Sequence, residues 1–174
     1  MKVCYEIDPD VLAAIECYSF RTPNKKNALD SECIALVEKT VANLDGALAA
    51  LDINYDITIG FANNLGKDAL GVFIHGTSGK SPVVLLAPKS IQCACVSSGL
   101  SLEVGVSTTI YHEFAHALCE LDRDYFDNEF LGIINDEEDW AEDFAYEFYT
   151  DNFIPERVGD LLTAFHSSDA DFVI

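Results

Sequence analysis

The spacing of apolar positions divides the chain into a helical front, a strand-rich middle and a helical end. Residues 8–20 predict a short helix, with Asp8 as cap, Pro9 in the first turn and Val11, Leu12, Ile15 and Cys17 facing inward. A polar loop containing Pro23 follows, over residues 21–27. From residue 30 or 31 to residue 51 the apolar set Ile34, Val37, Val41, Leu44, Leu48 and Leu51 recurs at threes and fours, which predicts a long amphipathic helix. Residues 53–61 then alternate, with Ile53, Tyr55, Ile57, Ile59 and Phe61 on one side and Asn54, Asp56 and Thr58 on the other. That is the period of a half-buried strand. Two more apolar runs, 69–75 and 83–87, are bounded by Gly- and Asn-containing turns and read as strands.

A loop is expected over residues 88–99, then a helix over 101–121 and another over 136–150. Residues 122–137 are mixed and acidic around a buried Phe130–Ile134 run, and Pro155 opens a last helix to about residue 166. No internal repeat or long linker interrupts this order, so residues 1–174 are expected to form one α+β domain. In it, a small mixed sheet of three to four strands packs against the long N-terminal helix and the 101–121 helix.

Composition narrows the partners. The 174 residues are 49% hydrophobic and 23% charged, which is globular. Thirty acidic residues against ten basic ones give a net charge of −20, a surface that repels phosphate and disfavours nucleic acid and anionic membrane. The same field would favour basic protein or peptide partners, although a solvated acidic surface needs no partner at all. The N-terminus lacks the basic region and apolar run of a secretory signal, and no run reaches membrane-spanning length, so a cytoplasmic monomer is the expectation. The six cysteines are then expected as thiols, with the Cys93-Ala94-Cys95 pair read as buried or strand-end residues, not ligands.

The chemistry concentrates in Thr109–Leu118, which contains His112-Glu113-Phe114-Ala115-His116 and no charge outside that motif. Residues four apart lie on one face of a helix, so His112 and His116 can offer two imidazole nitrogens to one metal ion. Glu113 projects about 100° around from His112, beside the metal, where a carboxylate can take a proton from water.

A catalytic zinc takes three protein ligands and keeps one position open. Neither His75 nor His166 stands at a spacing that suggests a third histidine. The acidic segment 136–148 offers carboxylates instead. At about 100° per residue, Trp140, Ala141, Phe144, Ala145 and Phe148 fill one arc. Glu138 and Glu142 share a ridge at its border, and Asp139, Asp143 and Glu147 point to water. Of the two border residues Glu142 is the favoured ligand, with the other left to hydrogen-bond a ligating histidine.

H-E-x-x-H on one helix and a glutamate on the next resembles the gluzincin group of zinc metallopeptidases, over about residues 53–150. Glu142-Asp143-Phe144-Ala145 is similar to the E-x-F-A signature of lethal-factor-like and aminopeptidase-type members. The compact spacing is similar to that of small bacterial and phage-borne peptidases. The resemblance implies a minimal zincin-like domain with one Zn2+ held by His112, His116 and Glu142, and Glu113 as general base. It also implies a protein or peptide substrate paired along the strand 69–75. Tyr146, Tyr149 and His166 are candidates for stabilising the oxyanion. Two rival readings remain: a metallopeptidase-like fold that binds a partner without turnover, and a structural zinc site recruiting Cys119, three residues after His116.

Overall fold

A computed structural model of the protein describes residues 1–5, 9–21, 30–50, 55–66, 68–76, 81–121 and 137–151. Within these residues five helices and four strands form an α+β fold. The strands are β1 (Lys2–Val3), β2 (Thr58–Phe61), β3 (Gly71–Ile74) and β4 (Val83–Leu86). The helices are α1 (Pro9–Cys17), α2 (Ser31–Ala50), α3 (Pro88–Ser98), α4 (Leu102–Leu121) and α5 (Glu137–Asp151). The sheet order is β1-β2-β4-β3, with β1, β2 and β4 parallel and β3 antiparallel at the edge.

The sheet is covered on both faces, and β4 shows how. Its alternate residues Val83 and Leu85 pack with Val11, Ala14 and Ile15 of α1, while Val84 and Leu86 pack in the larger core with α2, α4 and α5. Gly60 of β2 faces α1. A Cβ there would lie 2.7 and 2.9 Å from the Val11 methyls, so its absence lets α1 settle on the sheet.

Double coverage corrects one expectation. β2 is buried at all four positions, Thr58 included, and is not a half-exposed strand. A parallel strand between two helical layers has no water-facing side to mark. In α2, Val37, Val41, Leu44 and Leu48 are buried as their spacing predicts, with Cys33 and Thr40 beside them and Ile34 only half-buried. In α1 the expected inward face holds for Val11 and Ile15, but Cys17 is exposed at the helix end.

The expected loop at 88–99 is a helix, α3. Pro88 occupies its first turn, Ile91 and Cys95 bury one face four residues apart, and Gly99 closes it at φ 68°, with its N–H donating to the Cys95 carbonyl. Gly105 lets α4 pack against α3, because a Cβ there would collide with Cys95 Sγ. None of the six cysteines forms a disulfide; Cys33, Cys95 and Cys119 are buried and Cys93 is exposed. The predicted helix at 155–166 and the 122–136 segment lie outside the described residues. No helix among the described residues is long and apolar enough to cross a membrane.

Helix α4 is the hub. It touches α2, α3, α5, β3 and β4, and Phe114, Ala115, Ala117, Leu118 and Cys119 are almost wholly buried. Helix α5 runs antiparallel along it, with Phe144 beside Phe114 and Phe148 against Tyr111. The arc predicted for α5 is the one observed: Trp140, Ala141, Phe144, Ala145 and Phe148 are its buried residues.

Candidate metal centre

Between Gly105 and Glu120, α4 is buried at every position except Thr108, His112, His116 and Glu120. Those four recur every four residues and so form a single ridge. Together they leave one line of the helix open while the rest is held in the core. The first three floor a cleft of about 840 Å³, walled by β3 through Leu70, Gly71 and Phe73 and by α5 through Glu138, Glu142 and Tyr146.

Three side chains converge at the centre of this cleft. His112 Nε2 and His116 Nε2 face each other at 3.2 Å. Glu138 places Oε2 3.2 Å from His112 Nε2 and Oε1 3.5 Å from His116 Nε2. The ligating atoms of His112, His116 and Glu138 all lie within 4.8 Å of one another, a His-His-Glu group compatible with a metal ion.

The hydrogen bonding makes that group electron-rich. His116 Nδ1 lies 2.8 Å from Glu137 Oε1. A carboxylate only accepts, so Nδ1 carries a proton and donates, which leaves Nε2 as the ring atom free to face the cleft. Burial, reinforced by the neighbouring His116, holds the His112 pKa below its usual value and favours its neutral ring. Neutral imidazole is the form that binds metal. Two imidazole Nε2 atoms and a carboxylate thus point into one small volume, which a cation could bridge.

The helical arc of the sequence does not single out Glu137, which stands at the first position of α5. Its signal was available only as adjacency to Glu138. Here it orients His116 from behind, as carboxylates do for metal-ligating histidines. Replacing Glu137 by Ala is expected to weaken metal binding by about 10–100-fold, read by competition with a chromophoric chelator, while Asp139→Ala leaves it unchanged.

The sequence favoured Glu142 over Glu138, and the group that forms contains Glu138 instead. Both line the cleft, and the Glu142 charge is felt at His112. The difference is axial: the first turn of α5 stands over His112 and His116, and the antiparallel course carries Glu142 one turn onward, toward Ala145 and Tyr146. Helical rotation, which put both glutamates on one ridge, contains no information about that offset.

Glu113 is 7% exposed and buried beside β3. Desolvation is the main influence on its carboxyl, opposed by His116 and by a hydrogen bond from the Phe73 N–H, and its pKa is pushed up to about 7. In the unfolded chain the group titrates at 4.5. Stability contributed by the protonated form is therefore complete below pH 4.5 and is lost as pH rises through about 7. In metal-free protein that loss amounts to about 3 kcal/mol above pH 7. The variant Glu113→Gln is expected to escape it: with chelator present, its urea midpoint should not fall between pH 5 and 8, while the wild-type midpoint does.

Of the other candidates, Tyr146 lines the cleft, Tyr149 is absent from its lining and His166 lies outside the described residues. His75 also lines the cleft, with Nδ1 3.3 Å from Glu120 Oε2. Cys119 is fully buried in the core, apart from the His-His-Glu group. No family model, no curated protein and no solved structure matches the chain.

Proposed function

We propose that this protein is a zinc-dependent metallopeptidase of gluzincin type, with His112, His116 and Glu138 as ligands and Glu113 as general base. The observation that carries the reading is the convergence of two imidazole nitrogens and one carboxylate at 3.2–3.5 Å beside a separate buried carboxylate. Ligand bonds of about 2.0–2.2 Å in tetrahedral array separate neighbouring donor atoms by about 3.3 Å, so this donor set fits zinc. Among the described residues the set is nitrogen and oxygen with three protein ligands, which suits a catalytic site more than a closed structural one.

Zinc, when bound, supplies a Lewis acid that lowers the pKa of water toward ~7 and polarises a carbonyl. Glu113 accepts the proton of the attacking water and returns it to the leaving amine. Its burial beside the ligands keeps it a base of intermediate strength, suited to both transfers. Glu137 holds His116 in the ligating tautomer. The β3 edge offers main-chain groups on which an extended peptide can add as a further strand. The acidic surface favours basic or unfolded protein substrates by long-range attraction.

Incubation with a panel of unfolded and basic proteins is the direct test. Cleavage is expected with zinc and is expected to stop with chelator. Stable binding of a partner with no product in either condition would support the non-catalytic reading of the same fold.

A further inference from the structure

Strand β3 is the outermost strand of the sheet among the described residues, and its pairing decides which of its main-chain groups face outward. The Ala87 N–H donates to the Leu70 carbonyl at 2.8 Å. Counting by twos along the antiparallel ladder, Leu70, Val72 and Ile74 turn their N–H and C=O groups to β4, and Gly71 and Phe73 turn theirs away from it. Such outward groups on an edge strand are ordinarily left to water or to an added strand.

One of them has a side chain beside it. The Phe73 N–H lies near enough to the Glu113 carboxylate to act on it as a donor, lowering its pKa against the effect of burial. Two residues earlier, a Cβ at Gly71 would lie 2.7 Å from both Cγ and Oε1 of Glu113 and 2.9 Å from the Thr109 methyl. Any side chain at 71 must therefore displace the carboxylate or push β3 off α4. The two observations are independent, one an electrostatic contact and the other a clearance, and both concern the same side chain.

The geometry points to Gly71 and the Phe73 N–H as the positioning elements of Glu113, so that the peptide-pairing edge of β3 and the general base are one rigid unit. The role in hydrolysis rests on the metallopeptidase reading; the contact itself does not. A consequence for substrate follows. With the Phe73 donor committed to Glu113, an added peptide strand pairs through the Gly71 N–H and C=O and the Phe73 C=O. The anchor at Gly71 thus sets the distance between the docked backbone and the base.

Amide hydrogen exchange in the metal-free full chain tests the contact without any substrate. The Phe73 amide is expected to exchange at least tenfold more slowly in wild type than in Glu113→Ala, while the Val72 and Ile74 amides, bonded to β4, exchange alike in both and report that the strand is intact. Glu113→Asp, which keeps the charge but withdraws it by one methylene, is expected to lose the same protection and serves if the alanine variant does not fold. Gly71→Ala is expected to lose it too. Equal Phe73 exchange in wild type, Glu113→Ala and Glu113→Asp overturns the assignment. If a cleaved peptide is in hand, Gly71→Ala should lower kcat at least tenfold with KM moved less than threefold and metal content intact; an unchanged kcat also overturns it. Absence of any cleavage by wild type would count against the peptidase reading and leave the exchange result standing.

Discussion

Glu113→Gln is expected to retain one metal per chain and to lose about 10²–10⁴-fold in kcat/KM on any peptide the wild type cleaves. The substitution keeps the shape of a side chain that is 7% exposed and packed against Gly71, so the fold and the three ligands stay in place. It removes only the capacity to take a proton. A loss confined to turnover, with substrate binding kept, assigns the group to the transition state. If Glu113→Gln cleaved at the wild-type rate, another base would have to be found, and among the described residues Glu113 is the only buried acid lining the cleft. The same variant separates hydrolysis from partner binding, since a fold that only docks a protein gains nothing from a carboxylate there.

Glu138→Ala is expected to lose stoichiometric metal, with affinity down by more than 100-fold, beyond the ~10–100-fold typical of removing an outer partner such as Glu137. Glu142→Ala should keep the metal. The reason is geometric: Glu138 reaches both imidazole nitrogens, at 3.2 and 3.5 Å, and Glu142 stands a turn further along α5. Elemental analysis of the purified variants decides between them. Metal lost from the Glu142 variant and retained by the Glu138 variant would reverse the ligand assignment, and the proposal would then rest on the E-x-F-A likeness alone.

The two experiments probe different links. The first asks what a buried acid does beside the ligands; the second asks which acid completes them. Both depend on α4 being held rigidly on all sides but one, and the core around Phe114, Ala115 and Leu118 provides that.

Much of this was written in local spacing. Two histidines four apart share a ridge on any helix, and their neighbours' lack of charge marks that helix as buried. The apolar arc of α5 and the inward face of α2 follow from a period of 3.6 alone. These features depend on one element at a time, which is why the chain's order suffices to read them. Helix α3 was equally local, with Pro88 and Gly99 at its ends, but its short apolar face of Ile91 and Cys95 is too sparse to stand out.

What tertiary structure alone decided is relative placement. Sequence could put Glu138 and Glu142 on the same ridge, yet the slide of α5 along α4 brings Glu138 to the imidazoles, and that slide is fixed where Phe144 and Phe148 seat against Phe114 and Tyr111. Likewise no periodicity shows that Thr58 is covered, that Glu137 stands behind His116, or that Gly71 clears room for Glu113. Each arises where two separate elements meet. The residues' chemistry was fixed locally, and the packing of α4 against α5 and β3 determined which of them act on one another.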